Sequence, residues 1–149
     1  MTQSQPTNGS RFVFGRRPAG FEATITRNPA GGLILTVTLD LSKEGPPGHA
    51  HGGSLATLLD EAMGSAAWAD GYQVLAANLN IDYMTPVPLN TPLTITGRVD
   101  RKEGRKVFTS GEILLPDGRT ATRGTGLFIE APDIFAGKMD GPPARRPQE

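Results

Sequence analysis

The chain has 149 residues, no cysteine, 15 basic against 15 acidic side chains and 37% hydrophobic residues. That length fits one domain of about 100–200 residues, and a chain of this size buries about 68–70% of its unfolded surface without cross-links. Disulfide scaffolds, thiolate zinc sites and cysteine nucleophiles are excluded by composition, and general nucleic-acid binding by the balanced charge.

Residues 1–10 are polar and predict a loose tail, and the start MTQSQPTNGSR holds no apolar signal segment. Segments 21–26 and 33–39 are rich in β-branched and aromatic side chains and flank Asn28-Pro29-Ala30-Gly31-Gly32, which predicts a hairpin. Segment 42–50 contains Gly45-Pro46-Pro47-Gly48, where proline removes donors and fixes φ, so an irregular loop follows. Over 54–69, Leu55, Leu58, Leu59, Ala62, Met63, Ala66 and Ala67 recur at three- and four-residue steps, predicting a helix that is apolar on most sides. Strands follow at 74–83, 93–101, 105–115 and 120–129, joined through Pro86-Val87-Pro88-Leu89-Asn90, a Glu103-Gly104 turn and Pro116-Asp117-Gly118. Residues 136–149 predict a second tail, leaving one domain over 11–135. No apolar run approaches the roughly 20 residues that span a bilayer, and a cytoplasmic location is expected. The order of elements predicts an α+β fold, a curled antiparallel sheet wrapped around one central helix.

Asp60 falls in the middle of the apolar helix, where an ionised carboxylate loses hydration unless a partner or substrate compensates. Ala56, Gly64 and Ala67 share its face and are small, leaving room for an approach, while Glu61 points elsewhere and is expected to be solvated or salt-bridged. At the helix entry, His51-Gly52-Gly53-Ser54 lets a ligand reach first-turn N–H groups that suit an oxyanion or a polarised carbonyl. Gly52 and Asp60 are eight residues apart, about 12 Å along one helix. They meet one carbonyl only if the second comes from another copy, with two helices antiparallel about a two-fold axis. His49 and His51 lack a third ligand, so metal is not expected, and no Gly-x-Ser-x-Gly nucleophile is present. Arg98, Arg101, Lys102, Arg105 and Lys106 crowd one turn, which suits phosphate or a solubilising hairpin tip. Asn78, Asn80 and Asp82 alternate with Leu79, Ile81 and Tyr83, as on a solvent-facing strand.

Taken together, Gly45-Pro46-Pro47-Gly48 before His51-Gly52-Gly53, the run from Ala56 to Gly64 (ATLLDEAMG), the run from Ala77 to Tyr83 (ANLNIDY), Pro86-Val87-Pro88-Leu89 and Glu103-Gly104-Arg105-Lys106 resemble hotdog-fold acyl-CoA thioesterases. The resemblance covers roughly residues 33–130 and is to the phenylacetate-pathway (PaaI-like) branch of the 4HBT superfamily, especially its carboxyl-terminal modulator protein-like members. It implies Asp60 as nucleophile or general base, Gly52 N–H polarising the thioester carbonyl and His51 positioning it. Asp82, Arg105 and Lys106 would contact coenzyme A, with Gly53 and Asn78 among the substrate contacts. It implies no cofactor beyond the coenzyme A of the substrate, and a homodimer with sites across its interface, often paired again into a tetramer. Ala76 departs from the serine or threonine that many relatives carry there, and Asn78 or Thr57 are the candidate substitutes. An upstream asparagine of other hotdog thioesterases is also absent. An acyl carrier protein thioester, a non-catalytic acyl-CoA-binding or partner-binding hotdog protein and a hotdog hydratase stand as alternatives. Met63, Trp68 and Tyr83 are candidate walls of an acyl tunnel or simple core, and the same two readings cover Phe108 and Phe128.

Overall fold

The computed structural model describes residues 10–137. The expected tails therefore lie outside the described residues except for Ser10, Ala136 and Gly137. The elements are α1 (Arg11–Phe14), β1 (Thr24–Arg27), β2 (Leu33–Thr38), a 3-10 turn (Leu41–Lys43), α2 (Gly52–Ala69), β3 (Val74–Tyr83), β4 (Pro92–Glu103), β5 (Lys106–Leu114), β6 (Thr120–Glu130) and α3 (Pro132–Phe135). All strand pairs are antiparallel in one six-stranded sheet of order β1-β2-β4-β5-β6-β3. The sheet curls around α2, which packs against β2 through β6.

The helix forms where its apolar residues recur, and Leu58, Leu59, Ala62 and Met63 are completely buried. Each such large side chain contributes about 1.5–3 kcal/mol on burial. Three central strands meet the helix through glycine: Gly97, Gly111 and Gly124 are neighbours across β4, β5 and β6. A Cβ on Gly97 would sit 2.2 Å from the Ala62 carbonyl oxygen, and one on Gly124 would press the Leu59 side chain at 3.3 Å. A trough of bare backbone thus lets α2 lie against the sheet, which is why strand-interior glycines occur here.

Several boundaries differ from the sequence reading. The helix begins at Gly52, not Ser54, because His51 caps it and both glycines enter the first turn. The first strand starts at Thr24 and not at 21, since Glu22 has φ 54, left-handed backbone that interrupts an extended run. The β4–β5 turn is Gly104-Arg105, closed by the Glu103–Lys106 pair, and Gly104 with φ 59 supplies its left-handed position. The proline loop is more ordered than expected: Asp40 accepts the Ser42 N–H to cap the 3-10 turn, and Glu44–Ala50 and His49–Pro88 form isolated bridges. Short α1 and α3 were not anticipated, as four-residue helices carry no periodic signal. Among the described residues no helix is long and apolar enough to cross a membrane.

Candidate active site

The first turn of α2 distributes its N–H groups unequally. Ser54 and Leu55 N–H both reach the His51 carbonyl, at 2.9 and 3.3 Å, and Gly53 N–H donates to His51 Nδ1 at 2.9 Å. Among the described residues no acceptor meets the Gly52 N–H, so one first-turn donor remains at the positive end of the helix. The His51 ring is a cap, and since Nδ1 accepts, the neutral ring carries its proton on Nε2. Gly53, expected among the substrate contacts, has its N–H engaged by His51 and its C=O by the Thr57 hydroxyl at 2.8 Å. His49 Nδ1 lies 3.0 Å from the Pro47 carbonyl, within the loop.

Asp60 is half-buried, and among the described residues its carboxylate has no hydrogen-bond donor or cation partner. Burial alone raises its pKa above the ordinary aspartate value of 3.8. Among the described residues Glu61 has no salt bridge and is not freely solvated: its Oε1 accepts the Ser10 N–H at 3.2 Å, which brings the N-terminal turn onto the helix. Its pKa is raised first by burial and further by the Asp60 charge, against the lowering effect of the Ser10 N–H. The space expected beside Asp60 is partly occupied, since a Cβ on Gly64 would meet the Phe128 ring at 3.2 Å.

β3 returns alongside α2, starting beyond the helix C-terminus and ending where the Tyr83 hydroxyl donates to the Gly52 carbonyl at 2.8 Å. Leu79 and Ile81 pack on the core, so strand alternation turns Asn78, Asn80 and Asp82 to the opposite face of the sheet. Asn78 therefore does not face Asp60 of its own chain. Ala76 pairs with Phe128 on the inner face, where a hydroxyl would have pointed toward the helix. Asp82 pairs across the sheet with Arg123, which bonds Glu112 at 3.2 Å. Lys106 is six residues from Glu112 on the same strand, so Asp82 and the Arg105-Lys106 turn are separated by about 20 Å within one chain.

The basic cluster is largely matched internally. Arg98 pairs with Asp100 at 3.0 Å, Arg101 with Glu103 at 3.1 Å while stacking over Phe108, and Lys102 with Glu130 at 2.7 Å. Arg105 Nε donates to the Glu130 carbonyl, and Lys106 is exposed. Of the candidate tunnel walls, Met63 is core, Trp68 packs edge-on against Phe135 and Tyr83 is exposed. Phe128 is buried against the helix, and Phe108 lies under Arg101. A hollow of about 390 Å³ is lined by Arg17, Thr24, Thr36, Leu93 and Thr94 among others and does not include Asp60. Its one cation, Arg17, is held by Glu22 and Asp40. Among the described residues no His, Cys, Asp or Glu group could hold a metal.

A sheet curled around one buried helix, with a glycine-rich helix entry and a half-buried carboxylate two turns on, defines a hotdog domain. The chain belongs to the thioesterase superfamily, whose match covers residues 47–122 and so takes in His51, Gly52, Asp60 and Tyr83. It is 39% identical over 113 residues to acyl-coenzyme A thioesterase THEM4 of Rattus norvegicus, covering 74% of this chain and 49% of that protein. The chain thus spans about half the length of that curated relative. A solved thioesterase superfamily protein superposes with a TM-score of 0.70 at 39% identity, over 72% of this chain and 53% of that one. A Streptococcus pneumoniae TIGR4 hypothetical thioesterase solved with coenzyme A gives a TM-score of 0.70 at 25% identity, covering 74% of this chain and 88% of its own.

Proposed function

We propose that this chain hydrolyses an acyl thioester of coenzyme A to the free acid and the thiol. The carrying observation is the Asp60 carboxylate, half-buried and unpartnered among the described residues, on a helix whose Gly52 N–H is still free to donate. The family and the coenzyme A in the S. pneumoniae structure support the substrate class. Gly52 N–H bonds the thioester carbonyl oxygen, where negative charge develops, and His51 holds the turn that presents it. Asp60 either attacks the carbonyl carbon itself or takes a proton from the water that does. With Asp60 as base, water adds to the carbonyl, the C–S bond breaks, the water oxygen stays on the acid and the thiolate takes up the proton. With Asp60 as nucleophile, the C–S bond breaks to leave a mixed anhydride, which water then hydrolyses to the acid and free Asp60. Asp82, Arg105 and Lys106 are the proposed coenzyme A contacts, with Gly53 and Asn78 lining the approach.

Because Gly52 and Asp60 lie about 12 Å apart along α2, each site draws them from two copies, in a homodimer that pairs again into a tetramer at most. The exposed edge strand β3 supports this, since it offers ten residues with an open ladder beside the partly uncovered side of α2. Asp82 of one copy then approaches the Arg105-Lys106 turn of the other, which their separation within one chain requires if they share a ligand. A cysteine-free chain needs no oxidising compartment, which accords with action in the cytoplasm.

Thiol release from short, medium, long and aromatic acyl-CoAs tests the reading, with Asp60→Asn run beside the wild type. Turnover that falls at least about 10²-fold in the variant is expected for a positioned acid or base. Ala76 favours a second reading, a hotdog protein that binds acyl-CoA or a partner without turnover. Binding by both proteins with thiol released by neither would select it.

A further inference from the structure

The peptide joining Gly52 to Gly53 is held at both ends. Its N–H donates to His51 Nδ1 at 2.9 Å and its carbonyl accepts the Tyr83 hydroxyl at 2.8 Å. Tyr83 is the last residue of β3, 31 positions from Gly52, and its ring lies 3.5 Å from where a Gly52 Cβ would stand. Two consecutive glycines give this turn wide backbone freedom, each less favourable in a helix than alanine by about 0.5–1 kcal/mol. A donor that must meet charge only as it develops acts best when already fixed in direction. The preceding peptide, which carries the Gly52 N–H, is fixed at its carbonyl by Ser54 and Leu55. The two glycine torsions between the peptides are pinned when the second peptide is anchored as well, and among the described residues Tyr83 ties it to the sheet while the neighbouring His51 ring holds its N–H.

We propose that Tyr83 is a positioning residue for thioester hydrolysis, its hydroxyl holding the first turn of α2 so that the Gly52 N–H stays aimed at the carbonyl oxygen. This rests on the assignment of Gly52 as the polarising donor. The half-exposed ring stands at the helix entry, and the hydroxyl acts through the glycine turn without touching the thioester.

Tyr83→Phe keeps the ring and removes the tether. Losing a hydrogen bond of about 1 kcal/mol corresponds to a several-fold to tenfold fall in kcat, with KM little changed. The discriminating readout is a cycle with Gly52→Pro, which has no N–H to aim: there Tyr83→Phe should change kcat by less than twofold. Amide exchange of Gly53, followed by NMR, reports the tether whether or not thiol is released, and it should quicken in Tyr83→Phe. Unchanged Gly53 exchange, or an equal loss of kcat in both backgrounds, overturns the proposal. A wild type without thiol release instead removes the thioesterase assignment, and with it the catalytic role of Tyr83, even where exchange quickens.

Discussion

Two inactive variants should restore one another if the site is composite. Gly52→Pro removes the polarising N–H with little disturbance, because proline is favoured at the first helical position. His51 before it has φ −66 and ψ 135, the extended backbone a residue preceding proline requires. The nearest atoms a Cβ at Gly52 would meet belong to Tyr83, at an ordinary 3.5 Å. Loss of such a donor costs about 10²–10³ in rate, and Asp60→Asn removes the carboxylate, so each homodimer retains about 1% of activity or less. About 12 Å separates the two positions along one helix, so in a mixed dimer one site collects both lesions and the other neither. Random pairing of equal amounts makes half the dimers mixed, each with one intact site of two, and restores about a quarter of wild-type activity. The assay is thiol release by the two variants mixed and exchanged by mild denaturation; mixed dimers isolated through two different tags should instead reach about half of wild-type activity. A mixture that stays near 1% would show that both groups serve from the same chain, or that they do not share a site.

Two further outcomes follow from burial and packing. Folding raises the Asp60 pKa above its ordinary 3.8, so the folded state binds the proton more tightly than the unfolded chain. Ionisation of this group therefore lowers stability as pH rises through that window. Asp60→Asn should raise Tm at neutral pH, with the gain vanishing below the ordinary value, and the acid limb of wild-type kcat/KM should lie above it; a variant less stable than wild type at pH 7 contradicts this. Gly97→Ala places a methyl against the Ala62 carbonyl, and overpacking of this kind costs about 1–3 kcal/mol or more; a denaturant midpoint equal to wild type would mean that α2 does not rest on β4 as described.

The helix and most of the sheet were legible because local pattern and tertiary burial agree there. Leu55, Leu58, Leu59, Ala62 and Met63 follow the helical period and are the residues the sheet covers. Glu22 shows the limit: its left-handed backbone lies inside a run whose composition looks uniformly extended. Two ion pairs of the basic cluster were readable in the sequence, since Arg98 precedes Asp100 and Arg101 precedes Glu103 by the two-residue step that shares a strand face. The tether from Ser10 to Glu61 joins residues 51 positions apart, and that from Tyr83 to Gly52 joins residues 31 apart. No periodicity reports such contacts. The glycines of β4, β5 and β6 were readable as sites of close backbone approach, though only strand register shows that they align.

At Gly97 bare backbone lies directly beneath the Ala62 carbonyl, so main-chain contact there limits how deep α2 sits, while the Leu59 and Met63 side chains fill the space over Gly111 and Gly124. Drift among leucines and valines away from this seam can repack the core while leaving Asp60 at the same height above the sheet, whereas Leu59 and Met63 lie in the seam itself. A single methyl in the trough would instead shift the helix as a rigid bar, moving Gly52 and Asp60 together in every copy. Displacement of about 1 Å at a reacting centre can cost about 10²-fold in rate. An alanine scan finds roles by deleting side chains, so at these three positions it would add atoms, and its losses would be read as instability when they report the seating of α2.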